Sequence, residues 1–262
     1  LIGVDNDNLA GLDELGNADG IMLLTINKNT QELIMTSVLR DTRVNVPNDY
    51  GMKITSTYHK GGVPLLREVF ELNFNIPVDN YILVNYLNVV DIIDALGGVD
   101  MELTADEIKA MSGKIANIDK LVGADDGANA ISPDETGSLH LNGVQTAAYM
   151  RIRPSSSGDD RGRTERARKV VAQVFDKVKG MSGNELLTFA NGFLPNIDTD
   201  MTDNELMTLA MNSEMLMGYD RVSDRIPHDE DYTSSDDGNY YVLPDYDTVN
   251  EKLYKSVYEG VR

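Results

Sequence analysis

The sequence lacks several residues and motifs from which functional sites are commonly built. It contains no cysteine, which excludes disulfides and thiolate metal sites but leaves the cellular compartment open. Its three histidines, His59, His140 and His228, show no metal-ligand spacing and are expected at the surface. Neither a G-x-S-x-G nucleophile elbow nor a Walker A phosphate loop occurs, so the functions that depend on those motifs are not expected.

Positive charge and long apolar runs are also scarce. The chain of 262 residues has 23 lysines and arginines against 43 acidic residues, a formal net charge of −20. Because nucleic-acid-binding proteins usually carry a basic face, we expect no nucleic-acid partner. No apolar run reaches 18 residues, so no segment is expected to span a membrane. The chain opens inside a predicted strand and without methionine, and we expect an upstream N-terminal membrane anchor to be missing from it.

Arginine is distributed against this acidic background in an unusual way. Six of the twelve arginines lie between Arg151 and Arg168. Planar guanidinium groups match phosphate oxygens bidentately. A cluster of them in an otherwise acidic chain therefore indicates a local anion site.

Apolar runs alternate with amphipathic segments, which favours a layered α/β fold. Strands are predicted at residues 1–4, 21–27, 32–38, 81–84 and 99–103, with a turn at 27–31. Helices are predicted at residues 63–74, 86–96, 142–149, from the arginine cluster to Gly180, and at 184–194, 202–217 and 246–258. Residues 111–139 are polar and glycine-rich and are expected to form a mobile excursion. The chain can bury one substantial core or two small ones, and we expect a single domain over residues 1–262.

Helical periodicity divides the arginine cluster. Arg163 lies four residues before Ala167, and Arg166 lies four before Val170, so both are expected on the stripe that faces the core. Arg168 falls on another side and is expected in solvent. A buried cation is costly unless it is compensated, and the first turn of a helix favours anions over cations. The two inward arginines therefore indicate a bound anion.

A second interpretation of the cluster needs no ligand. Asp159, Asp160 and Glu165 could neutralise the arginines as a network of surface salt bridges. We favour the anion site for the inward arginines and the salt-bridge network for those on the solvent side. Arg151 and Arg153, if extended, would project to a common side and join the anion site.

Six segments, in order, resemble the LytR-CpsA-Psr family over most of the chain to about residue 200. They cover residues 1–5, 18–26, 37–47 and 53–54, a middle section at 76–81 and 94–99, and an arginine signature at 141–153 and 160–166. The third contains an arginine-aspartate-threonine turn, Arg40-Asp41-Thr42, and the last contains the arginine cluster. Each segment alone is weak evidence, whereas the ordered set is strong.

This resemblance implies a three-layer α-β-α sandwich with a central mixed sheet and an apolar pocket for a prenyl chain. It also implies an extracytoplasmic, membrane-anchored enzyme of mainly Gram-positive bacteria. Such enzymes move a glycopolymer of the teichoic-acid or capsule type from a polyprenyl-pyrophosphate carrier onto peptidoglycan. The expected cofactor is Mg²⁺ (or Mn²⁺), and pyrophosphatase activity is a further expectation.

The resemblance also assigns roles to individual residues. The expected catalytic residues are Arg40, Arg151, Arg153, Asp160 and Arg163. Substrate binding is expected from Arg43, Lys53 and Arg166, and metal binding from Asp5 and Asp19 near the ends of adjacent strands. Asp160 is interpreted either as the base for the acceptor hydroxyl or as a residue that orients Arg163. Asp41 is interpreted as a structural partner of Arg40.

Two positions depart from the family pattern. Gly20 stands where the family often has threonine, and Ala167 stands where it usually has glutamine after the second arginine. Without this glutamine, the site lacks a hydrogen bond that the resemblance implies on the side of the phosphate group. The alternative function is therefore a non-catalytic regulatory module of the cell envelope that binds polyprenyl phosphate. A third hypothesis is an acidic extracellular adhesion domain in which the arginines only form salt bridges.

Two apolar sets are candidates for contacting a prenyl chain. The segment at residues 86–96 is apolar nearly all round and is expected to be a buried helix, which makes it the better candidate. The other set consists of methionines, which we expect to fill the core rather than line a lipid pocket: Met201, Met207, Met211, Met215 and Met217.

Overall fold

A computed structural model describes residues 1–5, 16–153, 160–194, 197–236 and 239–261. The strands are β1 (Ile2–Asp5), β2 (Asn17–Asn27), β3 (Glu32–Val38), β4 (Arg43–Val46), β5 (Asp49–Lys53), β6 (Ile82–Val84), β7 (Val99–Leu103), β8 (Gly137–Leu141), β9 (Asp198–Thr199), β10 (Asp220–Ile226), β11 (Tyr232–Asp236) and β12 (Tyr240–Pro244). The helices are α1 (Ile54–Phe74), α2 (Tyr86–Ala95), α3 (Ala105–Val122), α4 (Gly143–Arg151), α5 (Asp160–Lys179), α6 (Gly183–Phe193), α7 (Asp203–Met211), α8 (Ser213–Met217) and α9 (Tyr246–Tyr254), the last continuing into a π-helical turn.

Contacts divide these elements into two compact units. The first unit comprises Leu1–Val84 and Asp198–Arg262, and the second comprises Asn85–Ile197. The first contains a six-stranded sheet in the order β10-β3-β2-β1-β6-β9. Strands β1 and β6 are parallel, as are β3 and β10, whereas the other neighbours are antiparallel. The expected α/β fold with a central mixed sheet is confirmed.

The β2–β3 hairpin forms where the apolar runs predict it. The side-chain oxygen of Asn27 accepts hydrogen bonds from the backbone N–H groups of Asn29 and Thr30, which closes the turn. Gln31 completes it with a φ of 58°. One face of the sheet then packs against α1 and α9 through a core that includes Ile21, Phe70 and Leu253.

Helix α1 begins nine residues before its predicted start. The pair Gly61-Gly62 has non-helical backbone angles and kinks the helix, and Pro64 follows directly. These residues resemble a helix boundary in the sequence because glycine and proline normally end helices. The segment before the kink is held by the burial of Ile54 and Tyr58 in the sheet-facing core.

The second unit has its own core, built from the β7–β8 hairpin and helices α2 to α5. The expected mobile excursion at residues 111–139 is wrong, because α3 extends to Val122. Its buried face consists of Ile108, Met111, Ile115 and Ile118, together with Asp119. A capping box between Thr104 and Glu107 starts the helix.

Two expectations about apolar segments are also wrong. Helix α2 buries only Val90 and Ile93, because Asp91 and Asp94 occupy its outer face. The methionines do not fill a core: Met207, Met211 and Met215 are 61%, 80% and 47% exposed. Helix α7 has no buried residue, so its apolar side chains have no layer to fill. Within the described ranges, no helix is long and apolar enough to cross a membrane.

Candidate active site

The turn after β3 fixes the backbone of Arg40. The N–H of Thr42 donates to the carbonyl of Leu39 at 3.0 Å, which closes the turn. The carbonyl of Arg40 accepts the N–H of Thr55 at 3.1 Å, and the N–H of Leu39 donates to the carbonyl of Ile226 at 3.0 Å. The turn is therefore bonded both to the start of α1 and to the end of β10, which holds Arg40 in one backbone position.

The Arg40 side chain is held by Asp19. Its Nη1 lies 2.9 Å from the Asp19 Oδ1, and the Thr55 hydroxyl donates to the same oxygen at 3.3 Å. The Arg40 and Asp19 side chains are only 22% and 12% exposed. A partly buried pair of this kind is screened less by salt than a surface pair. Thr55 is a site neighbour that the sequence did not indicate, although it lies only two residues after Lys53.

Asp19 owes its position to a β-bulge. Gly3 pairs with Gly20, but the next residue, Val4, pairs with Ala18, so Asp19 is the extra residue of β2. A bulge leaves its extra residue outside the regular pairing and redirects the side chain. The backbone irregularity thus presents the Asp19 carboxylate to Arg40.

Asp5 lies on the same pair of strands. It is the last residue of β1 and pairs with Asn17, two residues before Asp19. Carboxylate oxygens are the ligands that Mg²⁺ prefers. The donor types of Asp5 and Asp19 therefore suit the expected divalent cation, while Asp19 also carries the arginine contact described above.

Asp41 joins Arg40 to Lys53. Its Oδ1 lies 2.7 Å from the Lys53 Nζ, and its Oδ2 lies 3.7 Å from the Arg40 Nε. Asp41 is thus primarily the partner of Lys53 and more weakly that of Arg40. Arg43 pairs with Lys53 across β4 and β5. The structure therefore groups Arg40, Arg43 and Lys53 around one short hairpin of the first unit.

The second unit carries the other predicted arginines. Arg151 is the last residue of α4 and is helical, so the extended conformation that would project it to a common side with Arg153 is not present. Helix α4 continues two residues beyond its predicted end. Its guanidinium carbon lies 4.2 Å from the centroid of the Tyr86 ring. Arg153 follows with an exposed side chain. Tyr86 was not indicated by the sequence, because it is 65 residues away from its partner.

Arg163 and Arg166 are buried in the first turns of α5, as the helical spacing predicts. Their residues are 7% and 3% exposed. The Arg163 Nη2 lies 2.5 Å from the Asp160 Oδ1, and both side chains are nearly enclosed. Asp160 therefore contacts Arg163 directly. Asp159, which the salt-bridge interpretation also requires, lies outside the described residues.

The outer side of α5 behaves differently. Glu165 and Lys169 form an exposed ion pair at 2.8 Å. Contact with Lys169 lowers the pKa of Glu165. Arg168, expected in solvent, is half-buried. Glu165 is thus engaged with a lysine, and the ion pair that the salt-bridge interpretation expects is found instead at an inward arginine, between Asp160 and Arg163.

Arg166 is the most enclosed of the predicted arginines. Its Nη2 donates to the carbonyl of Ile152 at 2.5 Å, and its guanidinium carbon lies 6.0 Å from the centroid of the Tyr149 ring. No described residue accepts a hydrogen bond from its Nε. Burial lowers the pKa of Arg166, and burial raises the pKa of Tyr149 to about 12. The second unit therefore holds a cation that is costly to enclose and that raises the local positive potential.

The sheet of the first unit has apolar side chains at a small cavity on one face and exposed apolar side chains on the other. A cavity of about 30 Å³ between the sheet and α1 has room for little more than a water molecule. On the opposite face, Leu24 and Ile26 of β2 are 40% and 39% exposed. Their neighbours across the ladder, Met35 and Leu33, are apolar as well. Met35 and Leu33 are themselves buried, at 3% and 8% exposure, so Leu24 and Ile26 supply the exposed apolar surface of this ladder.

Comparisons with known proteins agree with the fold. A model of the LytR_cpsA_psr family matches residues 1–256. The chain is 32% identical, over 218 residues, to the polyisoprenyl-teichoic acid–peptidoglycan teichoic acid transferase TagU of Oceanobacillus iheyensis, a match that covers 78% of this chain and 61% of TagU. It is 24% identical, over 259 residues, to the corresponding transferase TagV of Bacillus subtilis, covering 97% and 62%. The chain thus spans about three fifths of the length of these relatives.

Solved structures show the same architecture. TagT of B. subtilis superposes with a TM-score of 0.72 at 21% identity, covering 99% of this chain and 90% of TagT. A TagT structure with bound octaprenyl pyrophosphate lipid gives a TM-score of 0.69 at 20% identity, covering 99% and 88%. At these identities, the superpositions establish the shared fold.

Proposed function

The chain belongs to the LytR-CpsA-Psr family, and on that premise we propose that it transfers a glycopolymer from a polyprenyl-pyrophosphate carrier onto peptidoglycan. Its named relatives are teichoic acid transferases, and a structural neighbour holds a prenyl pyrophosphate. The observation that carries the proposal is the burial of Arg166 at the start of α5, where its Nη2 donates to a neutral carbonyl, that of Ile152, in a chain of net charge −20. Arg163 is buried beside it and is paired with Asp160. Enclosed cations at that end of a helix are costly unless an anion compensates them.

The proposed reaction is a phosphoryl transfer. A hydroxyl oxygen of the acceptor bonds to the phosphorus that carries the glycopolymer, and the bond from that phosphorus to the bridging oxygen breaks. Polyprenyl phosphate leaves, and the hydroxyl proton passes to a base. Such reactions depend mainly on positioning and on neutralising charge on the phosphate oxygens. Guanidinium groups supply both.

The arginines divide this work according to their contacts. Arg40 is held by Asp19 and Asp41, so its guanidinium group is oriented before a substrate binds. Arg163 is oriented in the same way by Asp160. We assign Arg40, Arg151, Arg153 and Arg163 to the pyrophosphate oxygens. Asp160 then acts as the residue that orients Arg163, because its carboxylate is already engaged with that guanidinium group.

A divalent cation is part of the proposal. Mg²⁺ held by Asp5 and Asp19 would neutralise charge on the pyrophosphate. Support for this assignment comes from the two carboxylates on paired strands and from the family resemblance. The reaction would take place on the extracytoplasmic face of the membrane, to which the full-length protein would be anchored, because the carrier lipid and the peptidoglycan acceptor meet there. The exposed side chains of Leu24 and Ile26 offer an apolar surface to the prenyl chain.

The test is a transfer assay with a prenyl-pyrophosphate-linked glycopolymer and peptidoglycan. We expect Arg163→Ala to lower the transfer rate by about 100-fold, the effect of removing one preorganised charge-stabilising donor. The matched control is Arg161→Ala, an exposed arginine of the same helix turn, which we expect to transfer at the normal rate. A folded Arg163→Ala protein with full activity would refute the assignment.

The alternative is a regulatory module that binds polyprenyl phosphate without turning it over. Ala167, in place of the glutamine usual in the family, favours this function. The same assay separates the two, because a module would retain prenyl phosphate binding while releasing no polyprenyl phosphate under any metal condition. In that case Ala167→Gln should be assayed next, with restored turnover as the sign of a lost catalytic group.

A further inference from the structure

Two cations lie close to Tyr241 of β12. The guanidinium carbon of Arg43 and the Nζ of Lys53 are 5.7 Å and 5.6 Å from the centroid of its ring. Arg43 and Lys53 are directly opposite each other on β4 and β5, so their side chains share one face of the hairpin. Like charges in this arrangement repel and destabilise a strand pair. The arrangement therefore needs a compensating contact.

The compensation within the protein is incomplete. Lys53 has a carboxylate partner, Asp41, at 2.7 Å. For Arg43, the part of the chain that the structure describes provides the Tyr241 ring but no carboxylate within ion-pair distance. This is notable in a chain with 43 acidic residues. A cation that has an aromatic face but no counter-charge, beside a second cation, is suited to an anionic ligand.

The position of Arg43 is also fixed by its surroundings. The Tyr246 hydroxyl donates to the Arg43 carbonyl at 2.5 Å. A Cβ at Gly51 would lie 3.2 Å from the Arg43 Nε and 2.9 Å from the Val44 carbonyl oxygen. The absence of a side chain at Gly51 thus lets the arginine lie across the hairpin. Its guanidinium group is placed before any ligand arrives, which lowers the entropy cost of binding.

Resting on the proposed function, we propose that Tyr241 is a positioning residue that holds Arg43 and Lys53 as a binding pair for a phosphate group of the substrate. The ring attracts both cations through its negative face, an interaction that survives in phenylalanine but not in leucine. The phosphate has two possible sources, a phosphodiester of the glycopolymer and the pyrophosphate of the carrier. Both present tetrahedral anionic oxygens, and separate probes distinguish them.

The experiment measures binding by calorimetry at low salt, with an oligomer of glycerol phosphate as one probe and inorganic pyrophosphate as the other. We expect Tyr241→Leu to weaken binding of at least one probe by about five- to twentyfold, the combined loss of two cation–π contacts. Tyr241→Phe should restore most of the affinity. Tyr240→Leu is the matched control, since Tyr240 is the preceding residue of the strand and is 50% exposed. The probe whose binding affinity falls in Tyr241→Leu identifies the source of the phosphate.

Unchanged binding of both probes to Tyr241→Leu would overturn the proposal, as would equal losses in Tyr241→Phe and Tyr241→Leu. If Tyr241→Leu does not fold, the double variant Arg43→Gln/Lys53→Gln tests the same pair, and normal binding by that variant would be equally decisive against it. In the transfer assay, Tyr241→Leu should raise KM while kcat stays unchanged. A wild-type protein that binds the probes through Tyr241 but transfers nothing would contradict the proposed function alone.

Discussion

Asp160 and Arg163 form a contact of 2.5 Å between side chains that are 13% and 8% exposed. A charge-assisted hydrogen bond in such an enclosure is about twice as strong as a neutral one. It fixes the direction in which the guanidinium group points. The pair is therefore better suited to orient the arginine than to accept a proton from an acceptor hydroxyl.

This interpretation predicts the behaviour of Asp160→Asn. The amide keeps an oxygen that can accept from Arg163 but loses the charge, so we expect the transfer rate to fall about tenfold, or roughly 1.4 kcal/mol of barrier. The acidic limb of the pH–rate profile should stay in place, because a base would contribute that limb and an orienting residue would not. Asp176→Asn, on the exposed side of α5, is the control. Loss of the acidic limb would instead identify Asp160 as the base.

Among the secondary-structure elements, the β7–β8 hairpin depends on a single glycine. Gly98 has a φ of 90°, and a Cβ there would lie 2.4 Å from the His140 Nε2 and 2.8 Å from the Leu141 carbonyl oxygen. Gly97 has a φ of 74° but open space around it. His140 itself bridges the carboxylate of Asp100 and the carbonyl of Gly97, both at 2.7 Å. Replacing Gly98 therefore disturbs both the backbone and this bridge.

We predict that Gly98→Ala lowers the thermal unfolding midpoint clearly more than Gly97→Ala. Both variants carry the strain of a positive φ, about 1 kcal/mol, and only the first adds the steric overlap. The measurement is a thermal scan of the two variants beside the wild type. Equal shifts would show that His140 moves aside at little cost.

The capping boxes of α6 and α7 give a pH dependence of stability. Hydrogen bonds from the Ser182 hydroxyl and backbone lower the pKa of Glu185, and those from the Thr202 backbone and hydroxyl lower that of Glu205. Because the pKa of each carboxyl group is lower in the folded state, the ionised glutamates stabilise the fold at pH values above 4.5, their ordinary pKa. This stabilisation is lost as the pH falls through the lower pKa of the folded state.

The corresponding variant is the double substitution Glu185→Gln/Glu205→Gln. We expect its unfolding midpoint to lie below that of the wild type at neutral pH. The gap should close as the pH falls below about 4.5, because the wild-type carboxylates then become neutral as well. Thermal scans from pH 7 to pH 3 provide the measurement. A gap that is constant with pH would show that ionisation of the two carboxylates adds nothing to these helix starts.

The sequence predicts those secondary-structure elements that depend on residues close together along the chain. Burial of Arg163 and Arg166 follows from helical spacing alone, and the β2–β3 hairpin follows from two apolar runs and an asparagine-rich turn. Helix α3 was missed because polar residues and Gly113 obscured a regular apolar spacing. The contact between Arg40 and Asp19 was not predicted, since it depends on pairing between strands and on the bulge at Asp19.

The sequence does not predict contacts between segments that are far apart along the chain. Tyr241 is nearly 200 residues away from Arg43, and the sequence of residues 228–245 is rich in acidic and turn-forming residues. The residues of β11 are mostly polar, so no alternation of apolar residues marks that strand and the sequence does not predict the β11–β12 hairpin. Tyr86 beside Arg151 is a similar case, because a tyrosine at the start of a helix has no local feature that marks it as a partner of arginine.

For the whole molecule, net charge sets the conditions for binding. At −20 the protein repels an anionic substrate at long range, so binding relies on local groups that reverse the potential. The arginines supply part of that reversal, and a divalent cation would supply two further positive charges. On the proposed function, a requirement for a divalent cation would therefore reflect the charge of the whole chain as well as the chemistry of the site.

We predict that removing divalent cations with a chelator abolishes transfer and that Mg²⁺ or Mn²⁺ restores it. In titration calorimetry, the double variant Asp5→Asn/Asp19→Asn should show no heat of Mg²⁺ binding. This measurement does not depend on turnover. Asp91→Asn, an exposed residue of α2, should bind Mg²⁺ like the wild type. Normal Mg²⁺ binding by the double variant would place the metal elsewhere.

The bulge at Asp19 has a consequence for how this protein can change during evolution. Because Asp19 is the surplus residue between Gly20 and Ala18, deleting it would turn two offset registers into one regular ladder. Every other side chain of β1 and β2 would keep its face of the sheet, since no register slips. A three-nucleotide deletion could thus remove the carboxylate that holds Arg40 while leaving a foldable sheet. On the proposed function, descendants that retain the fold but lose the activity are therefore one short mutational step away.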